Sequence, residues 1–373
     1  MIADKPRFLG HFMSSFSAPS RLCVSIFALF LVPLCLGGSI ASTARAETTA
    51  EIVSVEKIWD AGNHNAFTDL IRWRDAFWCT FREADGHVGG DGKLRVLVST
   101  DGKAWASAAL LAEKGIDLRD PKLSITADGR LMIVAGGSVY NGGRTLLGRQ
   151  PRVAFSTDGR TWTPTTRVLA EGDWLWRVTW HEGTCYGVAY DASKRATEAA
   201  QEAAKLSTPA EPGPADWKLK LYKSADGVKY DLITYLDVPG HPNETTIRFT
   251  ADGTLTALVR REGGSKNGWI GTAKAPYTQW TWHETDMRLG GPNFIDVPRH
   301  GRFAVTRHYV PSARTTLCAM DEKSLTRLLQ LPSNGDNSYA GLVWHDDLLW
   351  VSYYSSHEGK TNIYLAKLRL TTK

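Results

Sequence analysis

The sequence contains the run His241–Phe249 (HPNETTIRF), followed by Thr250–Gly253 (TADG) and then Thr254–Arg261 (TLTALVRR). Asp-Gly between two largely apolar, alternating runs is a strong hairpin signal, so this stretch predicts a strand, a tight turn and a second strand. In a hairpin, the start of the first strand and the end of the second lie at the same end. Glu244 and Arg260 are therefore expected to lie together at one end of a sheet.

The same turn recurs along the chain between apolar runs, with a spacing of roughly 50 residues and one longer gap of about 70. The six turns are Arg74-Asp75, Asp128-Gly129, Glu182-Gly183, Asp252-Gly253, His300-Gly301 and Asp346-Asp347. The longest gap contains 192–214, which is rich in Ala, Lys and Glu and predicts an inserted short helix and loop. Six units of three or four short strands predict an all-β fold, a six-bladed β-propeller over 47–373 with four-stranded antiparallel blades. A two-sheet sandwich is the alternative, but the regular period disfavours it.

A second motif follows the same period. Ser99–Trp105 (STDGKAW) and Ser156–Trp162 (STDGRTW) match S-x-D-G-x-x-W, Ser224–Tyr230 (SADGVKY) has Tyr in place of Trp, and 272–280 carries a degenerate copy. In these Asp-box turns the carboxylate can accept hydrogen bonds from the backbone N–H groups of its own turn, and the aromatic ring packs beneath it. We therefore assign their Asp residues a structural role.

Residues 1–46 have the features of a secretory signal peptide. Basic residues precede the apolar run Leu22–Leu36, and small residues follow up to Ala44-Arg45-Ala46. The apolar run contains Pro33 and is short for a membrane span, so we expect cleavage after Ala46 rather than a membrane anchor. The mature protein is expected to be secreted or periplasmic.

Charge and cysteine content exclude several classes of protein. The full chain has a net charge of +5, and without 1–46 the charge is about +2, with no run of Lys or Arg, so we expect no nucleic-acid partner. Cys79, Cys185 and Cys318 are far apart and show neither a disulfide framework nor a metal-ligand spacing. We therefore predict no cofactor, assign no metal ligands, and leave calcium binding and the oligomeric state open.

The repeats, the Asp-box turns and the Glu244/Arg260 hairpin together resemble the sialidase superfamily over essentially the whole of 47–373. The resemblance implies a tyrosine nucleophile paired with a glutamate, three arginines that hold the substrate carboxylate, and an acid/base Asp on a loop of the first blade. Glu244 is similar to the glutamate, Arg260 and Arg307 to two of the arginines, and Tyr339 in Asn337–Leu342 (NSYAGL) to the nucleophile.

The sequence departs from the sialidase pattern at two places. The first-blade Arg-Ile-Pro motif is replaced by Ala66–Leu70 (AFTDL), and the glutamate that supports its arginine is replaced by Tyr353-Tyr354. Arg82 is a candidate substitute for the missing arginine. These departures argue against sialic acid as the substrate and leave the tyrosine–glutamate chemistry in place.

The repeat also predicts a site from position alone, because the inner strands of a propeller start near the axis and loops at one face form the pocket. Residues about eight positions before each turn, with their neighbours, and residues about seven or eight positions after each turn should therefore converge on this pocket. They include Phe67, Asp69, Arg119, Asp120, Trp174, Arg177, Glu244, Pro292, Asn293 and Tyr339, and then Arg82, Gly136, Tyr190, Arg260, Arg307 and Tyr354. Several arginines in one cavity favour an anionic ligand. Mutual pairing within Arg119/Asp120 and Arg260/Glu244 is the structural alternative.

From this set we predict Arg82, Arg119, Asp120, Arg177, Arg260, Asn293 and Arg307 as substrate-binding residues. A carboxylate beside Tyr339 could take the phenol proton, and arginines would favour the phenolate, so Tyr339 is the predicted nucleophile and Glu244 its base. For the acid/base, Asp85 and His87 in the loop 82–91 are both candidates.

Taken together, these patterns predict a secreted, sialidase-like glycoside hydrolase that cleaves a terminal acidic sugar through a tyrosyl intermediate. Two alternatives stay open. One is a carbohydrate-binding propeller without catalysis, and the other is a polysaccharide lyase that uses Tyr339 or His87 as a base on a uronic acid. The predicted partner in each case is a carbohydrate, with no membrane association after signal cleavage.

Overall fold

Each predicted hairpin forms the first two strands of a four-stranded antiparallel sheet. The computed structural model of the chain describes residues 48–191 and 217–372, and this part of the chain contains six such sheets. The innermost strand of each sheet contacts the innermost strands of the two neighbouring sheets, so the six sheets close into a ring. This arrangement is the predicted all-β, six-bladed β-propeller. The predicted signal peptide and the predicted insertion 192–214 lie outside the described residues.

The strands of the first three blades follow one another along the chain. Blade 1 contains β2 (His64–Trp73), β3 (Ala76–Ala84), β4 (Lys93–Ser99) and β5 (Ala106–Leu111). Blade 2 contains β6 (Asp117–Ile125), β7 (Leu131–Tyr140), β8 (Leu146–Ser156) and β9 (Thr166–Arg167). Blade 3 contains β10 (Asp173–His181), β11 (Thr184–Asp191), β12 (Leu219–Ser224) and β13 (Asp231–Leu236).

The last three blades include the one that joins both ends of the propeller. Blade 4 contains β14 (Pro242–Phe249), β15 (Leu255–Arg261), β16 (Asn267–Ala273) and β17 (Thr281–Arg288). Blade 5 contains β18 (Asn293–Val297), β19 (Gly301–His308), β20 (Arg314–Met320) and β21 (Leu325–Gln330). Blade 6 contains β22 (Asn337–His345), β23 (Leu348–Ser355), β24 (Asn362–Thr372) and, as its outer strand, β1 (Thr48–Trp59).

The pairing of β1 with β24 was not predicted. The two strands are antiparallel from Thr48 opposite Thr372 to Trp59 opposite Ile363, and the register shifts between Ile52 and Ser54 and between Lys57 and Trp59. The first described strand thus completes the last blade, and its backbone hydrogen bonds hold the ring closed. None of the described residues belongs to a helix that is long and apolar enough to cross a membrane.

The turns lie where the sequence predicts them, with one shift. Both residues of Arg74-Asp75 have positive φ (51° and 60°), as do both residues of Asp346-Asp347 (50° and 52°), which is the geometry that matches the twist of a two-residue hairpin. The turn of blade 5 occupies 298–300, so the predicted His300-Gly301 is displaced, because Gly301 already pairs with Val297. Here the left-handed residue before the strand is Arg299 (φ 68°).

The S-x-D-G turns are held by their own carboxylates. Asp101 Oδ1 accepts hydrogen bonds from the backbone N–H groups of Lys103 (2.8 Å) and Ala104 (2.9 Å) and from Ser99 Oγ (3.0 Å). These bonds lower the pKa of Asp101 to about 2, with the backbone N–H groups as the main cause. Asp158 and Asp226 make the corresponding bonds. The Asp residues are therefore engaged within their turns, as their structural assignment predicts.

The glycines of these turns connect neighbouring blades. A Cβ atom built on Gly159 would lie 2.2 Å from the ring of Trp78 in blade 1, and one on Gly102 would lie 2.1 Å from the ring of Trp350 in blade 6. Each glycine also has positive φ (74° and 67°). The turn of one blade thus packs directly on a tryptophan in the second strand of the preceding blade, and only glycine fits that contact.

A bulge near the start of the innermost strand recurs in blades 1, 2, 3, 4 and 6. The pairing of the first two strands shifts between Ala66 and Asp69, Arg119 and Lys122, Leu175 and Arg177, Pro242 and Thr245, and Ser338 and Gly341. Phe67, Asp120 and Tyr339 lie in these bulges with φ of 65°, 50° and 53°. Left-handed backbone at bulky residues is costly and concentrates at functional sites, so the bulges indicate a functional site at this end of the propeller.

Candidate active site

The centre of this site is a hydrogen-bonded group of three side chains from two blades. Tyr339 Oη donates a hydrogen bond to Glu244 Oε1 over 2.5 Å. The other oxygen of Glu244 accepts from Arg260 Nη1 (2.7 Å) and from the backbone N–H of Gly291 (2.8 Å). Arg260 Nη1 also lies 3.1 Å from Tyr339 Oη and donates to it. One guanidinium nitrogen therefore contacts both members of the tyrosine–glutamate pair.

Electrostatics fixes the proton on the tyrosine in the resting site. Burial opposes ionisation of Glu244, but Arg260 and the hydrogen bonds from Tyr339 and Gly291 outweigh it, and the net pKa of Glu244 is lowered. Burial and the Glu244 charge raise the pKa of Tyr339 well above its usual range. The group thus holds a neutral phenol against an ionised carboxylate, with Arg260 placed to stabilise negative charge on either oxygen.

The bulges and the hairpin explain how these residues meet. Glu244 lies in the bulge of β14 and Tyr339 in the bulge of β22, where φ is 53°. Arg260 is near the end of β15, the strand that pairs with β14, and forms a second ion pair with Glu262. The hairpin of blade 4 thus supplies Glu244 and Arg260, and blade 6 supplies Tyr339.

A second charged group borders the tyrosine. Arg307 Nη2 donates to Asp336 Oδ1 (3.0 Å), and the Tyr354 hydroxyl donates to the same oxygen (2.8 Å). The Arg307 guanidinium lies 5.6 Å from the centre of the Tyr339 ring, and the Tyr354 ring lies 5.9 Å from it. Arg307, predicted as a substrate-binding residue, thus lies beside the pair, where the Asp336 carboxylate already neutralises it. Asp336 did not feature in the sequence prediction.

Aromatic rings and a buried lysine form the inner wall. Phe67 and Trp176 each meet the Tyr339 ring edge to face, at 5.1 Å and 5.4 Å. Lys122 Nζ lies 4.7 Å from the Trp176 ring and 5.8 Å from the Tyr339 ring, and donates to the carbonyl oxygens of Thr68 and Pro121. Burial, together with the charge of Arg177, lowers the pKa of Lys122 to about 8. The sequence prediction did not include Lys122 or Trp176.

Asp120 presents a carboxyl group with unusual surroundings. Its backbone is left-handed (φ 50°), and its Oδ1 is buried without a hydrogen-bond partner among the described residues, although the residue as a whole is partly exposed. Burial raises the pKa of Asp120, the Glu244 charge adds to this rise, and Arg119 and Lys122 oppose it. Asp120 also raises the pKa of Tyr339, which places its carboxyl group in the same electrostatic environment.

Arg82 and Arg119 form a clamp with Asp117 that holds a loop. Arg82 makes a two-point ion pair with Asp117 (2.6 Å and 3.0 Å), and Arg119 contacts the same carboxylate at 3.2 Å. Arg82 also donates to the carbonyl of Gly86 and Arg119 to that of His87, each over 2.7 Å. Arg82 is fully buried, so its guanidinium holds the loop and is not open to a ligand. Asp117 is a further residue that the sequence prediction did not include.

Arg177 and Asn293 lie behind the site. Arg177 Nη1 pairs with Asp69 Oδ2 over 2.8 Å, and both side chains are buried. Asn293 Nδ2 donates to the carbonyl of Ala340 (2.9 Å), next to Tyr339 in the chain, and Asn293 Oδ1 accepts from Arg248 (3.0 Å). Both side chains therefore support the bulged strands. These contacts do not fit the substrate-binding role predicted for Arg177 and Asn293.

The two predicted acid/base candidates lie in different places. His87 Nδ1 is 2.9 Å from Asp336 Oδ2, and its ring meets Phe67 edge to face at 5.3 Å. Asp85 is exposed and accepts a hydrogen bond from Asn63 (3.2 Å). His87 thus contacts residues of the site, whereas Asp85 is bonded to Asn63 at the surface. His87, Asp336 and His64 also form a cluster of metal-ligand type.

The site residues that were not predicted lie close in the sequence to residues that were. Lys122 is two positions beyond Asp120, and Asp336 is three positions before Tyr339. A search for charged residues beside each predicted site position would have found both. Trp176 belongs to the run Asp173–Arg177 (DWLWR), in which position alone favoured Trp174.

Comparisons with known proteins place the fold. No protein-family model and no curated protein sequence matches the chain. Among solved structures, a protein of unknown function from Dyadobacter fermentans superposes with a TM-score of 0.71 at 17% identity, covering 87% of this chain and 100% of that one. A variant of the α-L-arabinofuranosidase of Fusarium graminearum, in complex with an iminosugar inhibitor, gives 0.65 at 14% identity, covering 85% and 98%.

A Trypanosoma rangeli sialidase variant with trans-sialidase activity gives a TM-score of 0.62 at 10% identity, covering 86% of this chain. This chain spans only 58% of that sialidase. The resemblance in fold to sialidases is confirmed, and it extends equally to an α-L-arabinofuranosidase. The chain therefore has the six-bladed propeller fold that these glycoside hydrolases share.

Proposed function

We propose that this protein is a glycoside hydrolase that removes a terminal sugar, with Tyr339 as the nucleophile and Glu244 as its base. The observation that carries the proposal is the 2.5 Å hydrogen bond between Tyr339 Oη and Glu244 Oε1, with Arg260 Nη1 in contact with both groups. A buried phenol is a weak nucleophile until a base takes its proton. This arrangement supplies the base and a cation to stabilise the phenolate.

The two steps balance in protons and bonds. In the first, Tyr339 Oη attacks the anomeric carbon and passes its proton to Glu244, while a general acid protonates the departing oxygen. In the second step, the group that served as general acid now acts as a base and takes a proton from water as the water attacks the anomeric carbon. The bond from Tyr339 to the sugar breaks as the water adds, and the released phenolate regains its proton from Glu244.

We assign the acid/base role to Asp120. Its pKa is raised by burial, and a raised pKa suits a group that must carry a proton at mildly acid pH. The residue is partly exposed, and its buried Oδ1 has no hydrogen-bond partner among the described residues, so this carboxyl group is not committed to a structural ion pair through that oxygen. Of the earlier candidates, Asp85 is exposed and bonded to Asn63, and His87 is engaged with Asp336.

The ion pairs support a neutral sugar rather than an acidic one. Arg82 and Arg119 are paired with Asp117, Arg260 with Glu244, and Arg307 with Asp336. A substrate carboxylate would have to compete with these buried pairs, and separating such a pair is costly. The aromatic rings beside Tyr339 suit a sugar face. The arabinofuranosidase neighbour directs the choice toward a neutral pentose, such as α-L-arabinofuranose.

The test is a panel of para-nitrophenyl glycosides that includes α-L-arabinofuranoside, a sialoside and a uronide. We expect release of para-nitrophenol from the neutral pentoside, loss of this activity in Tyr339→Phe, and no turnover of the sialoside. Binding of arabinan oligosaccharides without hydrolysis would instead favour the non-catalytic propeller. An unsaturated product that absorbs in the ultraviolet would favour a lyase. Secretion is also part of the proposal, and recovery of the cleaved chain outside the cytoplasm would test it.

A further inference from the structure

Two imidazoles and one carboxylate converge beside the proposed active site. The ligand-type atoms of His64, His87 and Asp336 all lie within 4.8 Å of one another. His87 Nδ1 is 2.9 Å and His64 Nε2 is 3.6 Å from the same oxygen, Asp336 Oδ2. We propose that these three side chains bind a divalent transition-metal ion, with zinc as the expected ion, and leave at least one coordination position open.

The separations of the two imidazole nitrogens from the carboxylate oxygen fit a common ion. Zinc ligands lie at about 2.0–2.1 Å in tetrahedral sites, so neighbouring ligand atoms are roughly 3.3 Å apart. The two separations measured from Asp336 Oδ2 lie on either side of this value. Two imidazole nitrogens and a carboxylate oxygen suit zinc and iron better than magnesium or calcium, which prefer oxygen ligands alone.

The surroundings orient the carboxylate for this role. Asp336 Oδ1 accepts hydrogen bonds from Tyr354 (2.8 Å) and Arg307 (3.0 Å), which leaves Oδ2 directed at the imidazoles. Such outer-sphere hydrogen bonds typically fix the orientation of metal ligands. The carboxylate is therefore held in a defined rotamer before any ion binds.

The loop that carries His87 is also fixed. Arg119 donates to the carbonyl of His87 and Arg82 to that of Gly86, and both arginines are held by Asp117. His64 is the first residue of β2, opposite Ala84 at the end of β3, where this loop begins. The two histidines thus come from one rigid end of blade 1, and the aspartate lies just before β22 of the neighbouring blade.

A simple hydrogen bond between His87 and Asp336 is the competing explanation. It accounts for the 2.9 Å contact of His87, whereas His64 Nε2 lies 3.6 Å from the same oxygen, at ion-pair distance, and the His64 side chain is only 13% exposed. A metal site requires both histidines, whereas a hydrogen-bonded pair requires only His87. The two explanations therefore predict different results for variants of His64.

The position of the cluster indicates what would occupy the open coordination position of the metal ion. His87 contacts Phe67, and Phe67 contacts Tyr339, so one aromatic ring separates the cluster from the proposed nucleophile. An open coordination position there would take water or a hydroxyl oxygen of the bound carbohydrate. This last step rests on the proposed function, whereas metal binding itself does not.

The experiment measures zinc binding without a substrate. The full chain, prepared without a histidine tag and stripped with a chelator, is titrated with zinc chloride in competition with a chromophoric chelator. We expect one zinc ion per chain in the wild type, and an affinity lower by about tenfold or more in His64→Ala and in His87→Ala. The matched control is His300→Ala, since that imidazole contacts only Thr372 and Trp344 among the described residues, and it should bind zinc like the wild type.

Circular dichroism of each variant shows whether the fold is kept. If His87→Ala or His64→Ala is unstable, His87→Gln replaces it, because the His87 side chain is exposed and the substitution should not affect folding. Failure of the wild type to hold one zinc ion would overturn the proposal. So would a His64→Ala variant that binds zinc as tightly as the wild type. Because no sugar is present, these results are independent of whether the chain hydrolyses a glycoside.

Discussion

The hydroxyl of Tyr339 donates a 2.5 Å hydrogen bond to Glu244 although the two residues are 95 positions apart. Tyr339→Phe removes this hydroxyl and keeps the ring in contact with Phe67 and Trp176. We expect a folded protein whose kcat on the neutral pentoside is lower by about 10³-fold or more, since only binding and electrostatic groups remain. Steady-state rates and a thermal unfolding curve give the two readouts.

The matched control for this change is Tyr235→Phe, because Tyr235 is 55% exposed on an outer strand. It should leave both kcat and the unfolding temperature unchanged. A Tyr339→Phe variant that keeps the wild-type kcat would remove Tyr339 from the reaction.

The pH profile depends on two carboxyl groups whose pKa values move in opposite directions. The pKa of Glu244 is lowered from 4.5, and that of Asp120 is raised from 3.8. Activity requires an ionised Glu244 and a protonated Asp120, so kcat/KM should be bell-shaped, with Glu244 on the acid limb and Asp120 on the basic limb. Asp120→Asn should abolish the basic limb. It should also slow a substrate with a poor leaving group far more than a para-nitrophenyl glycoside, and equal slowing of both substrates would argue against the assignment.

Arg260 stabilises the ionised form of Glu244. Arg260→Met leaves that carboxylate buried without its cation, and we expect a loss of about 3–5 kcal/mol in the free energy of unfolding near neutral pH. The depressed pKa of Glu244 contributes stability above its unfolded value, and this contribution is lost as pH falls through the folded pKa. The difference between wild type and variant should therefore shrink below about pH 4.5.

Chemical unfolding at several pH values measures this difference. Arg288→Met is the matched control, because Arg288 pairs with Glu262 in the same blade but its side chain is 35% exposed. A pair of this exposure is worth about 0–1 kcal/mol. Equal losses for the two variants at neutral pH would contradict the role given to Arg260.

Local sequence chemistry was sufficient to predict the six blades and the contact between residues that are distant in the sequence. The turn residues and their period predict six hairpins, and the ring then brings Tyr339 to Glu244. The closing strand β1 could not be predicted in this way, because it has no hairpin partner nearby. Its first residue, Thr48, contacts Thr372 across 324 positions, and only the complete ring brings the two together.

The charge arrangement of the site was less predictable. Position in the repeat indicates which residues converge, but not which charges neutralise one another. Arg82 was predicted to hold an anionic ligand, whereas Asp117 holds it, and Asp117 is also the partner of Arg119. Such pairing depends on side-chain directions within a few ångströms, which a strand pattern does not specify.

The Asp117 clamp can be tested through the loop that it holds. Asp117→Asn leaves Arg82 buried without its counter-charge, and we expect a loss of about 3–5 kcal/mol in the free energy of unfolding. Faster amide hydrogen exchange at residues 85–88 is expected as well, because the arginines that bind the carbonyls of Gly86 and His87 lose their anchor. The surface pair of Asp128 with Arg130 gives the control, since Asp128→Asn should cost about 0–1 kcal/mol and leave the loop unchanged. Exchange in the loop that is no faster in Asp117→Asn would show that other contacts hold it.

The contact between Gly159 and Trp78 makes a prediction about how the blades are joined. A Cβ at Gly159 would lie 2.2 Å from the Trp78 ring, and φ is 74°, so Gly159→Ala combines a steric clash with left-handed strain. Gly129 has a similar φ of 81° but open space around its Cβ position, so Gly129→Ala isolates the strain alone. We expect about 1–2 kcal/mol of destabilisation for Gly129→Ala and about 1–3 kcal/mol more for Gly159→Ala. Denaturant unfolding of both variants measures the difference. If they are equally stable, the glycine turns do not set the spacing between blades, and the ring must be held by the core contacts and by the pairing of β1 with β24.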